Sequence, residues 1–158
     1  MNYSEALAYI NDKNKFGSRP GLDSMGKLME LLGNPQDKLN IIHVAGTNGK
    51  GSTSSYLASC LNEAGYDVGL FTSPFLERFN ERIRINQEDI GDEDLARLTS
   101  TIKTAADKMV EEGWDHPPTF ELVTALAFLY YAEKNPDYVV LEVGLGGRFD
   151  STNIIKTS

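Results

Sequence analysis

Apolar residues along this chain recur at two alternating spacings, and the alternation predicts its elements. Leu7 and Ile10 read as a short helix over Tyr3 to Asp12. A second helix is expected from about Ser24 to Leu32, where Gly33, Asn34 and Pro35 stop it. LNIIHVAG is a β-branched run ending in a glycine loop. Helical spacing then resumes through Tyr56, Leu57, Cys60 and Leu61, with Gly65 as the residue just past the helix end. DVGLF is the next strand, ending at Thr72-Ser73-Pro74, and Arg82-Ile83-Arg84-Ile85 alternates as a half-exposed strand or hairpin arm does. Leu95, Leu98, Ile102, Met109 and Val110 put one apolar stripe on a helix spanning Asp92, its expected cap, to Glu112. Beyond GWDHPP, Thr119 is expected to cap a more uniformly apolar helix over Phe120 to Glu133, and YVVLEVG follows as a strand.

Strands alternating with helices in this way predict an α/β fold, a mainly parallel sheet flanked by helices. The unbroken apolar run YVVLEV fits a strand covered on both faces. A chain of 158 residues is about one domain. It buries roughly 70% of its unfolded surface, so it needs no disulfide framework, and its single cysteine, Cys60, has no internal partner. That cysteine usage favours a reducing compartment. Fifteen basic against 23 acidic residues leave a net charge of −8, which argues against nucleic acid or an anionic membrane surface as a partner. The longest apolar run, Val123 to Ala132, is too short to cross a bilayer. The N-terminal MNYSEALAYINDKNK lacks the pattern of a secretion signal, so a cytoplasmic protein is expected. After Asn153 another apolar stretch, Ile154-Ile155, begins just as the sequence stops, and the chain is therefore expected to be a fragment of a longer polypeptide.

The strongest chemical signal is His43-Val44-Ala45-Gly46-Thr47-Asn48-Gly49-Lys50-Gly51-Ser52-Thr53, between a buried strand and a helix. A phosphate loop requires that position. Glycines let backbone N–H groups converge on phosphate oxygens, the helix N-terminus adds positive character, and Lys50 supplies a mobile charge. Either Ser52 or Thr53 offers a hydroxyl to Mg²⁺ or phosphate. The match to G-x-x-x-x-G-K-[ST] is imperfect, because Gly51 intervenes between Lys50 and Ser52. A glycine-rich turn with a solvated lysine is the competing reading.

Glu142 is the second candidate, a carboxylate at the end of an apolar strand, where an ionised group is costly unless paired or metal-bound. Ligands of open α/β sheets lie beyond the carboxyl ends of the strands, so Glu142 and Ser73 are expected to share one Mg²⁺. A bridge from Glu142 to an arginine or to backbone N–H groups stays open beside this. Arg78, Arg82 and Arg84 read equally as contacts for an anionic substrate or as a solvated strand face. His43 reads as a core or edge histidine and His116 as an exposed one. Glu121 reads as a first-turn carboxylate favoured by the helix dipole. Asp150, judged from spacing, reads as a loop residue.

Taken together, HVAGTNGKGSTSSYL, FTSPFLERFNERIRIN, TFELVTALAF and VVLEVGLGGRFDSTNII resemble the folylpolyglutamate synthases of the Mur-ligase superfamily. GTNGKGS alone indicates the superfamily, which includes cell-wall amino-acid ligases, and LEVGLGGRFDSTN points to the folate branch. The resemblance implies a P-loop-containing, Mur-ligase-like ATPase domain and an ATP-dependent amide ligase that joins L-glutamate to the γ-carboxylate of a folyl-glutamate through an acyl phosphate. It equally accommodates dihydropteroate as acceptor, and a non-catalytic nucleotide-binding module on the same scaffold is the alternative of a different class. Thr47, Asn48, Gly49, Lys50, Gly51 and Ser52 match the ATP-phosphate loop, with Lys50 catalytic, and Ser73 and Glu142 match the magnesium ligands. Gly17, Ser18 and Arg19, with Phe149, Asp150 and Ser151, match positions lining the folate side. Phe75 stands where many relatives have histidine. Family members run to more than twice this length, so residues 1–158 correspond to the N-terminal part of the ATP-binding domain. The glutamate-binding C-terminal domain, a further metal-binding histidine and a modified lysine lie outside it. The fragment alone is therefore expected to be inactive, and the parent enzyme monomeric.

Overall fold

A computed structural model describes residues 1–12, 22–44, 50–72 and 77–142, with backbone alone at 22, 23 and 50–52. Two helices, α1 (Tyr3–Ile10) and α2 (Leu22–Leu31), precede strand β1 (Ile41–Val44) and helix α3 (Lys50–Glu63). Strand β2 (Val68–Phe71) is followed by the short strands β3 (Ile83–Ile85) and β4 (Glu88–Asp89), and then by α4 (Asp92–Glu111), α5 (Thr119–Lys134) and β5 (Tyr138–Glu142). Across the sheet the order is β1-β5-β2-β3-β4. Strand β5 runs parallel to both β1 and β2, whereas β2 with β3 and β3 with β4 are antiparallel. The expected parallel sheet is thus present and is extended on one side by a hairpin.

Period-two alternation sorts the strand side chains onto two faces. Val44, Val68, Leu70 and Val140 pack with Ala58, Leu57 and Leu61 of α3. Phe71, Ile83, Val139 and Leu141 turn the other way, into a larger core with α1, α2, α4 and α5. Gly69 lies between Val68 and Leu70 on this second face, and an added Cβ there would stand 2.7 Å from Cε1 of the fully buried Tyr131. No residue larger than glycine fits beneath that ring without displacement.

Local chemistry explains the boundaries. Asn2 caps α1 in a capping box: its Oδ1 accepts from the Glu5 N–H at 2.8 Å, and Glu5 Oε1 accepts from the Asn2 N–H at 3.1 Å. Helix α3 ends in a Schellman motif, with Gly65 at φ +98°, the Tyr66 N–H donating to Leu61 O and the Gly65 N–H to Asn62 O. Asn86 and Gln87 join β3 to β4 at φ of 51° and 69°, a type I′ conformation that twists with the strands. The Asn86 side chain anchors the turn, accepting from the Val68 N–H at 2.9 Å and donating to Asp67 at 3.0 Å.

Several expectations are corrected. Asp92 is the first residue of α4 rather than its cap, which is Gly91; its carboxylate accepts from Arg78 at 2.8 Å and Asn80 at 2.9 Å instead. Thr119 likewise opens α5 behind a cap at Pro118, and its hydroxyl donates to Ile10 O at 2.7 Å, tying α5 to α1. Val110 is 48% exposed, because it follows Met109 by about 100° around the helix and so leaves the buried stripe. His116 is half-buried rather than exposed, with Nε2 2.8 Å from the Tyr9 hydroxyl and its ring edge-on to the Tyr9 ring. The expected strand at Ile154-Ile155 lies outside the described residues.

Gly69→Ala is expected to destabilise the fold by about 1–3 kcal/mol, because the added methyl forces Tyr131 or strand β2 out of place. A urea unfolding midpoint equal to that of the parent would show that the ring yields freely.

Candidate active site at the strand ends

The register of the sheet fixes which side chains meet at its carboxyl end. Val44 pairs with Glu142 and Phe71 with Leu141, so one step further along places Thr72 beside Glu142. The Thr72 N–H donates to Arg82 O at 3.0 Å and draws Arg82 into the same row. Val44, Glu142, Thr72 and Arg82 therefore lie side by side where the parallel strands end. Helix α3 leaves the carboxyl end of β1 and returns to begin β2 parallel to it, so its N-terminus also lies at this end. Lys50, Gly51 and Ser52 are its opening residues. The first N–H groups of a helix have no intrahelical acceptor and carry the positive end of its dipole, which makes this corner suited to anionic groups.

Glu142 is only 6% exposed. The two-residue period puts it on the face of Val140, which is the face covered by α3. Arg82, half-buried, stands with its guanidinium 6.0 Å from the Phe71 ring and 5.7 Å from the Phe79 ring. Burial pushes this guanidinium below its ordinary value, and the Glu142 carboxylate pushes it back up, so the two charges lie within electrostatic reach. Of the three arginines, Arg82 is the one whose charge is influenced by Glu142. The other two arginines have surface partners: Arg78 meets Asp92 at 2.8 Å and Arg84 meets Asp89 at 2.8 Å. This is the solvated reading of Arg78 and Arg84, and it does not extend to Arg82.

The remaining candidates divide plainly. Thr47, Asn48 and Gly49 of the expected phosphate loop, Ser73, Phe75, Gly17, Ser18 and Arg19, and Phe149, Asp150 and Ser151 lie outside the described residues. Thr53 is exposed in the first turn of α3. His43 is an exposed residue of β1, one of the two outer strands of the sheet among the described residues. Glu121 does sit in the first turn of α5, yet it is 1% exposed and accepts a hydrogen bond from the Ser24 hydroxyl at 3.0 Å, so it joins α5 to α2 rather than meeting solvent. The sequence reading placed Thr72 at the end of its strand but gave it no role. Its signal was positional, since it is the first residue past a strand in register with β5.

A hard cation prefers oxygen donors, and Mg²⁺ is commonly held by one or two carboxylates, with phosphates and waters completing its shell. Glu142 fits that requirement as a buried carboxylate beside the helix N-terminus. Among the described residues no group of three or more His, Cys, Asp or Glu side chains forms a metal cluster, so an ion here draws on ligands beyond these side chains. Among the same residues no helix is long and apolar enough to cross a membrane.

No family model matches the chain. It is 48% identical over 155 residues to the dihydrofolate synthase/folylpolyglutamate synthase of Bacillus subtilis, a match covering 98% of this chain and 36% of that protein. The crystal structure of folylpolyglutamate synthase from Thermotoga maritima superposes with a TM-score of 0.90 at 45% identity, over 98% of this chain and 36% of that one. A folylpolyglutamate synthase complex with AMPPCP and folate gives a TM-score of 0.91 at 41% identity, over 98% of this chain and 38% of that one. In sequence and in fold alike, the chain is a homologue of the folylpolyglutamate and dihydrofolate synthases, spanning little more than a third of their length.

Proposed function

We propose that these residues form the N-terminal part of the ATP-binding domain of a cytoplasmic, monomeric ligase that adds L-glutamate to the γ-carboxylate of a folyl-glutamate at the expense of ATP. The observation that carries this reading is the buried Glu142 at the end of the central strand, beside the strand that feeds α3. The complex with AMPPCP and folate among the similar structures supports the same substrates for this chain. The Bacillus subtilis relative carries both synthase names, which favours a second activity at the same site, with dihydropteroate as acceptor.

A carboxylate resists attack by an amine because its charge is delocalised and oxide is a poor leaving group. In the proposed reaction a carboxylate oxygen attacks the γ-phosphorus of ATP and ADP departs. The amino nitrogen of glutamate then attacks the acyl carbon, inorganic phosphate leaves, and the ammonium proton is lost to give the amide. Lys50 and the opening N–H groups of α3 hold the phosphates, with Thr47, Asn48, Gly49, Gly51 and Ser52 completing the loop. Glu142 and Ser73 provide oxygen ligands for Mg²⁺, which when bound neutralises phosphate charge. Gly17, Ser18, Arg19, Phe149, Asp150 and Ser151 line the folate side. The acidic net charge of −8 accords with small-molecule substrates rather than nucleic acid.

The full-length polypeptide, given ATP, L-glutamate and either tetrahydrofolate or dihydropteroate, is expected to form amide product; product from neither acceptor would overturn the reading. Lys50→Ala should lower kcat/KM several hundred-fold, about 3–4 kcal/mol of transition-state stabilisation. Turnover near that of the parent would place the phosphate-binding charge elsewhere. Glu142→Gln keeps the shape of the side chain and removes its charge, so the Mg²⁺ concentration needed for half-maximal turnover should rise about tenfold or more. An unchanged magnesium titration would remove Glu142 from the metal site.

A further inference from the structure

Two residues in the first turn of α5 hold two segments that are distant in sequence. The Thr119 hydroxyl donates to Ile10 O at 2.7 Å, and the Glu121 carboxylate accepts from the Ser24 hydroxyl at 3.0 Å. Ile10 is the last residue of α1, where a helix leaves carbonyl groups without intrahelical partners, and Thr119 satisfies one of them. Ser24 lies in the first turn of α2, so the buried Glu121 carboxylate meets the start of that helix from the start of its own. The positive end of a helix dipole favours a carboxylate in such a place. A further tie acts nearby, since Nε2 of His116 lies 2.8 Å from the hydroxyl of the buried Tyr9. The end of α1 and the start of α2 are therefore fastened to one end of α5, and the sequence between these two anchors contains Gly17, Ser18 and Arg19.

A segment whose two ends are fixed has fewer conformations to give up when it contacts a ligand, and the saving appears as affinity. Resting on the reading of Gly17, Ser18 and Arg19 as folate-side residues, we propose that Thr119 and Glu121 are positioning residues for the folate acceptor. By holding Ile10 and Ser24 they set the geometry from which residues 17–19 meet it. The effect is confined to the acceptor side, because α3, which opens with Lys50, packs on the opposite face of the sheet through a separate core. A donating hydroxyl is the essential feature at residue 119. Serine supplies one, and valine, with the shape of threonine, does not.

The test is isothermal titration of the full-length protein with tetrahydrofolate and dihydropteroate in turn, and separately with a non-hydrolysable ATP analogue and Mg²⁺. Thermal unfolding is the control for structure. Thr119→Val and Ser24→Ala, which removes the partner of Glu121, should each weaken acceptor binding about threefold or more, and together about tenfold, as loss of one and of two hydrogen bonds implies. Affinity for the nucleotide analogue should stay within about twofold of the parent, and Thr119→Ser should bind the acceptor within about twofold as well. Parental acceptor affinity in Thr119→Val or in Ser24→Ala overturns the role of the residue it probes. An equal loss of affinity for acceptor and nucleotide overturns both roles, since a general loss of structure produces it. Ser24→Ala decides the matter if Thr119→Val does not fold. Arg19→Ala measured in parallel separates the two ideas. Weakened acceptor binding in Arg19→Ala with parental binding in the other variants sinks the positioning role alone. Parental binding in Arg19→Ala, or a parent that binds neither acceptor, sinks the folate-side reading beneath it.

Discussion

Strand β5 is the last regular element among the described residues, yet it occupies the middle of the parallel sheet, hydrogen-bonded to β1 on one edge and β2 on the other. The arrangement of the site depends on that insertion. Without β5, β1 and β2 would be two separate edges, and α3 would cross between strands that do not meet. With it, Val44, Glu142 and Thr72 are brought into one row and α3 is closed over a continuous face. The residues of β5 suit a position that is covered on both sides. Val139, Val140 and Leu141 are fully buried and only Tyr138, at the amino end, is partly exposed. The one ionisable side chain on the strand after its start is Glu142, at the end where ligands of such sheets bind.

The helical layers on the two faces differ in a way that bears on rigidity. On one side α1, α2, α4 and α5 share a large core with Phe71, Ile83, Val139 and Leu141. Cross-links between distant segments reinforce it. Buried Asn80 accepts from the Tyr3 hydroxyl at 2.6 Å and donates to Ile90 O at 2.7 Å, so one side chain joins α1 to the segment before β3 and to the start of α4. Arg82 follows Asn80 by two residues, so the backbone that carries it is anchored from the well-packed side. On the other face α3 packs through a smaller set of apolar residues, Ala58 with Leu57 and Leu61. The strand-end row is therefore supported mainly from the face opposite α3.

Local patterns were legible in the sequence, and contacts between distant segments were not. The helix from Asp92 was visible because Leu95, Leu98, Ile102 and Met109 fall on one stripe, and the strand YVVLE because it is apolar on both faces. Helix caps were misread for a single physical reason. Asp92 and Thr119 have the right chemistry for caps, but tertiary partners, Arg78 with Asn80 in one case and Ile10 O in the other, claim those side chains. His116 and Glu121 were undervalued for the same reason, since Tyr9 and Ser24 lie about a hundred residues away in sequence. The hairpin turn Asn86-Gln87 lacks the usual Asn-Gly signal, and what makes it work is the Asn86 amide bound to Asp67 and Val68. Of the site, the carboxylate was legible from its strand, whereas its neighbour Arg82 was one of three similar arginines whose difference only the strand register and the two aromatic rings bring out.

That difference has an energetic basis. A carboxylate buried at the end of an apolar strand is desolvated, and a neighbouring cation offsets the cost only if it is held in a fixed geometry, because a mobile side chain must also give up its conformational freedom. Phe71 supplies part of that geometry from β2 and Phe79 from the turn before β3, so both rings are ordered by core packing that would exist without the arginine. Arg82 is thus ordered by groups that are already immobile, and its backbone is tied to the strand end through the Thr72 hydrogen bond. Surface pairs such as Arg84 with Asp89 are screened and contribute little. A half-buried guanidinium against aromatic rings is screened less. The same argument accounts for the antiparallel hairpin beside a parallel sheet: β3 is short, but it places Arg82 next to Thr72 in a register that the side-chain packing of Ile83 against the core does not allow to slip.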